Sequence, residues 1–398
     1  MNYTFSNKIS GVKPSAIREI LKMSSDRSVI SLAAGNPSPD AFPVQAVQKI
    51  SAEILSEDPI LALQYSVSEG YTPLREKLCT LAREHYHAMG GEDDLIVVSG
   101  AQQGLELSCK VLCNEGDTLI CEDPSFVGAL NAFRTYGVNL AGVAMEEDGI
   151  SIGKLEEALK KEKNVKALYV IPNFQNPSGI TMSLEKRRAV YELACRYDVI
   201  ILEDNPYGDL RFEGEALPPI KSMDTEGRVI YCGSFSKILS PGLRVGFVCA
   251  NKAIIGKLVV AKQCADVHTP ILSQLICDRF LSEYDLGKHI EMLRDIYRKK
   301  CALMLGEIEK HFSPKVAYTR PQGGLFVWCT LPQGSDMPEF CRRAVADYKV
   351  AVVPGTAFLA DESAPTTSFR LNYTTPPDEQ VVRGVEILGK LTREFCAD

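Results

Sequence analysis

Between residues 95 and 232 the chain alternates short apolar runs with stretches of helical periodicity, and few folds accommodate that alternation. The runs 95–98, 118–121, 167–171, 199–202 and 229–232 are mostly β-branched and too short for helices, so they read as strands buried on both faces. Segments 103–112, 126–136, 155–163 and 184–197 carry helical patterns between them. Strand and helix repeated in this way predict an α/β fold with a mostly parallel central sheet between helices. After about residue 252 the pattern changes. A long helical stretch over 271–311 breaks near 284–287, and short strands are expected at 325–330, 351–353 and 368–372. A last helix runs over 378–394 with Asp378 as its expected N-terminal cap. These elements predict a smaller α+β domain. The expected division is an N-terminal arm over 1–44 joining the small domain, a large domain over 45–275, and a small domain over 276–398 that includes a long connecting helix.

A length of 398 residues suits two domains. The net charge of −7, without any Lys/Arg-rich run, argues against a nucleic-acid partner. Thirteen scattered cysteines, an odd number with no C-x-x-C pair, read as reduced thiols. No apolar run approaches the roughly 20 residues of a membrane span. Residues 1–10 lack the apolar core of a signal peptide. A soluble, cytoplasmic protein with no membrane partner is expected. The five histidines show no metal-ligand spacing, so no metal site is expected.

The most informative string is Ser234-Phe235-Ser236-Lys237-Ile238-Leu239-Ser240-Pro241-Gly242-Leu243-Arg244-Val245-Gly246. It follows the strand 229–232, at the edge where open α/β sheets bind ligands. One lysine among hydroxyls, with an arginine seven residues on, suits an aldehyde cofactor that bears a phosphate. The amine condenses with the aldehyde, while the hydroxyls and the planar guanidinium hold the phosphate oxygens. The bland alternative is a solvated lysine in a polar loop.

This string resembles the cofactor-lysine motif of the class I/II aminotransferases, pyridoxal-phosphate enzymes of fold type I, and the resemblance extends along nearly the whole chain. It implies pyridoxal 5′-phosphate as cofactor and Lys237 as the Schiff-base lysine, with Ser234, Ser236 and Arg244 at the phosphate. The Ser99-Gly100-Ala101-Gln102 turn opens a helix and on its own reads as a cap or an anion site. The resemblance places Gly100, Ala101 and Gln102 around the phosphate, with Ala101 where a hydroxyl residue is common. Phe126 falls where a ring-stacking tyrosine is usual. Asn176, in an Asn-Pro-x-Gly turn, is implied to donate to the cofactor's O3′. Asp204, ending the strand 199–202, is implied to pair with the pyridine nitrogen, and Tyr207 to bond O3′. Arg370 would fork onto the substrate α-carboxylate, beneath the loop Gly35-Asn36-Pro37. Tyr65 matches a tyrosine that reaches the neighbouring subunit's cofactor, which implies a homodimer with shared active sites.

The implied activity is transamination between an L-amino acid and a 2-oxo acid, with 2-oxoglutarate as acceptor in a ping-pong cycle. The Pro14-Ser15-Ala16-Ile17-Arg18 and Gln64-Tyr65-Ser66 stretches are most similar to the aminoadipate/kynurenine-type subgroup. In some of its members the residue matching Arg18 binds a distal substrate carboxylate; the alternative is an ordinary pair with Glu19. A β-lyase, a decarboxylase or a cyclopropane-forming synthase on the same scaffold stays open. So does a non-catalytic sensor, although about thirty residues before the 31–35 loop are too few for a DNA-binding domain.

Overall fold

The structure, a computed structural model, describes residues 3–10, 12 and 28–396. Fourteen strands are described. Strand β1 is Ile30–Ser31. The large sheet comprises β2 (Asp93–Val98), β3 (Thr118–Asp123), β4 (Asn139–Glu146), β5 (Gly149–Ile150), β6 (Val165–Val170), β7 (Ile200–Asn205), β8 (Val229–Ser234) and β9 (Gly246–Asn251), in the order β2-β9-β8-β7-β6-β3-β4-β5. Strands β4, β3, β6, β7 and β8 pair in parallel, while β9 runs antiparallel to both its neighbours. The smaller part of the chain holds β10 (Ala317–Tyr318), β11 (Phe326–Thr330), β12 (Val350–Ala351), β13 (Val353–Pro354) and β14 (Ser368–Asn372).

Alternation along the parallel strands divides the core. Leu119, Cys121, Ala167, Tyr169 and Leu202 face one side, which the helix Ala101–Leu112 covers. Ile120, Leu168, Val170 and Ile201 face the other, under the helices Ile152–Lys161 and Leu184–Arg196. Both faces are therefore dry, which is why these strands read as unbroken apolar runs.

Three expectations change. The run 351–353 is not one strand: β12 pairs in parallel with β1, and β13 pairs antiparallel with β14, so the chain changes partner at Val352. Strands β4 and β9 went unrecognised, because the apolar residues of half-exposed β4 are mixed with the small Ala141, Gly142 and Ala144 and β9 follows the lysine motif directly. Asp378 is not a cap. Pro377 holds that position, and Asp378 is the first helical residue, its carboxylate taking Lys300 Nζ at 2.9 Å. The expected break in the long helix is real, between Ile271–Glu283 and Leu286–His311.

Two contacts aim the site. Pairing of β1 with β12, and Asn372 N donating to Leu32 O at 2.8 Å, hold the segment that leads into Gly35. Gly246 lets the turn before the helix Ala101–Leu112 lie directly on β9. A Cβ there would come within 2.8 Å of Ala101 N and 2.9 Å of both Gly100 C and Gly233 O. Those are backbone atoms that cannot step aside, so Gly246→Ala should destabilise the fold by about 1–3 kcal/mol. Urea unfolding checks this; an unchanged midpoint would show that the turn is not packed so closely.

Candidate active site

The parallel strands all end on one sheet edge, and the loops beyond them line a cavity of about 400 Å³. Its walls include Gly35, Ala101, Gln102, Phe126, Asn176, Asp204, Tyr207, Ser234, Ser236, Lys237, Arg244 and Arg370. These residues come from positions spread between 35 and 370 of the sequence.

At one end the helix Ala101–Leu112 begins at Gly100, whose φ is +79 and which supplies no side-chain cap. A Cβ at Gly100 would collide with the Arg244 guanidinium. Arg244 has left-handed backbone, φ +54, and donates to Ser99 O at 3.0 Å and Ser236 Oγ at 3.4 Å. Ser234 Oγ lies 3.0 Å from Ser236 Oγ. Helix N-terminus, guanidinium and two hydroxyls together suit a phosphate. Gln102 turns its amide to Gly128 O at 2.8 Å, so its contribution here is backbone.

In the middle, Lys237 Nζ donates to Gly35 O at 2.8 Å. Burial, then the Arg370 and Arg244 charges, lower its pKa to about 8. Asp204 is buried; Tyr169 donates to its Oδ2 at 2.9 Å, and Oδ1 has no partner among the described residues. Tyr207 stands edge-on to Phe326, with centroids 5.9 Å apart. Burial raises its phenol well above the ordinary range.

At the far end, Arg370 is buried between two rings, 4.1 Å from the Phe326 centroid and 4.9 Å from that of Phe358. It donates to Asn176 Oδ1 at 2.7 Å and Ala33 O at 2.8 Å, and burial lowers its pKa to about 10. One expected residue is not brought here. Tyr65 is 81% exposed, edge-on to His268, and does not line this cavity. Arg18 lies outside the described residues. Sequence reasoning missed Phe326, Phe358, Tyr169 and Glu122, all hidden in apolar surroundings; a lone hydroxyl or carboxyl at a strand's end was the only signal.

With a cavity of this construction on this sheet, the chain belongs to the class I and II aminotransferases, whose family pattern matches residues 27–388. It is a transaminase that uses pyridoxal 5′-phosphate and acts on amino-acid and 2-oxo-acid substrates. It is 42% identical to aromatic-amino-acid aminotransferase 1 of Thermococcus litoralis, over 98% of this chain and 94% of that one. The crystal structure of Pyrococcus horikoshii kynurenine aminotransferase, in complex with PMP, superposes with a TM-score of 0.94 at 38% identity, covering 98% and 97% of the two chains. That of α-aminoadipate aminotransferase from Thermus thermophilus, complexed with N-(5′-phosphopyridoxyl)-L-leucine, gives 0.90 at 37% identity, covering 99% and 98%. Two of these relatives bear the kynurenine and α-aminoadipate names of the subgroup that the sequence resembles.

The residues fit the cofactor. The lining offers three basic groups, Lys237, Arg244 and Arg370, against the carboxyl of Asp204. That balance suits a phosphate and a substrate carboxylate together. The unpartnered Asp204 Oδ1 leaves an acceptor that a ring N–H would satisfy, and the lowered pKa of Lys237 suits an amine that would condense with an aldehyde.

Behind Asp204 lies a second buried carboxyl, Glu122. It accepts from Ile171 N at 3.0 Å and Gln175 Nε2 at 3.2 Å, and burial pushes its pKa up to about 8. Such a group holds its proton more tightly folded than unfolded. Its contribution to stability is therefore lost as pH rises from its ordinary value near ~4.3 toward that of the folded state, at up to ~1.4 kcal/mol per pH unit. Glu122→Gln in the cofactor-free protein should flatten the fall in urea midpoint between roughly pH 5 and 8. A variant that loses as much stability as wild type over that range would show that Glu122 does not titrate with folding.

Proposed function

We propose that this transaminase carries its cofactor on Lys237 and runs a ping-pong cycle with 2-oxoglutarate as acceptor, the two half-reactions using the same cavity in turn. The observation that carries the reading is the buried amine of Lys237, its pKa lowered, in one cavity with a phosphate-type group at Arg244 and a carboxylate-type group at Arg370. Pyridoxal phosphate supplies an aldehyde that condenses with amines and a ring that draws electrons from the bonds at Cα. Gly100, Ala101, Gln102, Ser234, Ser236 and Arg244 hold the phosphate. Phe126 packs on the ring face, where it provides stacking without the usual hydroxyl. Asp204 keeps the ring nitrogen protonated, and Asn176 and Tyr207 bond O3′. Arg370 binds the substrate α-carboxylate through a planar pair of N–H groups, with Asn176 holding the guanidinium in register and Gly35 closing over the substrate. The Lys237 amine, neutral above its lowered pKa, takes the proton from Cα and returns it one position along, as base and then acid.

In the same reading residues 1–44 form the arm, 45–275 the cofactor domain and 276–398 the small domain. Tyr65 serves the neighbouring subunit of a homodimer. Support comes from the exposed apolar side chains of Ile60, Leu63, Tyr65 and Val67, beside Val267, a concentration unusual on a monomer's surface. The free state of all thirteen cysteines supports a cytoplasmic site of action.

Lys237→Ala should abolish turnover and the visible band of the lysine-linked cofactor. In wild type, adding a donor amino acid should bleach that band and release a stoichiometric 2-oxo acid; a band that persists with every amino acid, or substantial transamination by Lys237→Ala, refutes the assignment. For the donor, we propose a dicarboxylic amino acid held by Arg18, with aromatic donors also accepted, in line with the names of the relatives above. Arg18→Ala should raise KM for a dicarboxylate at least tenfold more than for leucine, as for loss of one charge-assisted hydrogen bond. Equal effects on both would remove the distal-carboxylate role.

A further inference from the structure

Asp204 is a buried carboxyl with no cation bonded to it among the described residues. The titratable groups packed against it are Tyr169, Glu122, Tyr207 and Cys232, while the basic Lys237, Arg244 and Arg370 line the same cavity without bonding to it. Its single hydrogen bond comes from the Tyr169 hydroxyl, 2.9 Å from Oδ2, and Oδ1 has none. Tyr169 comes from β6, the strand beside β7 that carries Asp204, and is fully buried. Its ring stands edge-on to Phe133 with centroids 5.4 Å apart, which leaves the hydroxyl little freedom. Burial pushes the Asp204 pKa up to about 7, and the Tyr169 bond opposes that rise. A phenol donating to a carboxylate favours the charged form, since the protonated acid accepts more weakly.

We propose that Tyr169 is a positioning residue that occupies Asp204 Oδ2, turns Oδ1 alone toward the cofactor ring nitrogen, and keeps Asp204 ionised to pair with that nitrogen's proton. The proposal rests on the role given to Asp204 above. Without the hydroxyl, the proton shared between ring nitrogen and carboxylate moves toward the carboxylate, and no other atom changes hands. The ring becomes less positive, and the lysine-linked nitrogen then holds its own proton more tightly.

Tyr169→Phe tests this, because it removes one oxygen and retains the ring against Phe133. Cofactor-free protein titrated with pyridoxal 5′-phosphate should bind roughly tenfold more weakly, the scale of one lost hydrogen bond to a charged group. In the reconstituted variant the pH midpoint of the visible band should rise, a change that loosened packing alone would not produce. Asp204→Asn is the companion. It should weaken binding and shift the midpoint by itself, and adding Tyr169→Phe to it should move the midpoint no further. If Asp204→Asn changes neither property, the role of Asp204 fails and takes the proposal with it. If Asp204→Asn changes both while Tyr169→Phe changes neither, or if the two shifts simply add, the role of Asp204 stands and that of Tyr169 is overturned.

Discussion

A guanidinium removed from water must find its hydrogen bonds and its charge balance inside the protein, and at the cavity that demand falls on Arg370. Its N–H groups reach Asn176, beyond the end of β6, and the Ala33 carbonyl, on the segment that follows β1. Its faces are covered by Phe326 from β11 and by Phe358. One side chain of the small sheet thus ties together the large sheet's loop, the N-terminal segment and two aromatic walls. Arg370 Nε remains without a partner among the described residues, so its hydrogen-bonding capacity is not exhausted by the protein. A buried cation with donors to spare is what a carboxylate ligand requires.

The loop bearing Asn176 is built to hold that geometry. Phe174 adopts a left-handed backbone, φ +48, while wholly buried, with the Arg211 guanidinium 4.7 Å above its ring. Gly323 and Gly324 leave the room it needs, since a Cβ at either would strike Phe174. Gln175 then bridges Glu122, the Pro124 carbonyl and Ser178. A non-glycine residue persists in that conformation only where its surroundings over-determine it. Here they are polar bonds on one side and packing from the small sheet on the other.

Charge is distributed along the cavity as well. Arg244 stands at one end, Arg370 at the other, and Lys237 between them has its pKa lowered by burial and by both. The carboxyls Asp204 and Glu122 lie deeper and are pushed the opposite way by the same desolvation. Low dielectric therefore acts on the two sets with opposite sign, bringing an amine and an acid toward neutrality in one site.

Much of the site was legible in the sequence because its chemistry is local. The string from Ser234 to Gly246 places hydroxyls, lysine and arginine within one strand end and one turn, and short-range geometry brings them together. Asp204 and Asn176 likewise sit where an apolar run stops, so the parallel fold and its polar edge followed from periodicity. The antiparallel insertion of β9, the change of partner at Val352 and the capping of the last helix by Pro377 were not legible, since each is decided by neighbours distant in sequence. The same holds for Tyr169, Phe326 and Phe358. In a strand buried on both faces every position looks equally apolar, and only the packing of a particular helix or loop determines which side chain meets the cavity. By itself the sequence determined the chemistry carried at the strand ends; the tertiary structure alone decided which buried neighbours orient it, because burial and hydrogen bonding there depend on contacts that no local pattern encodes.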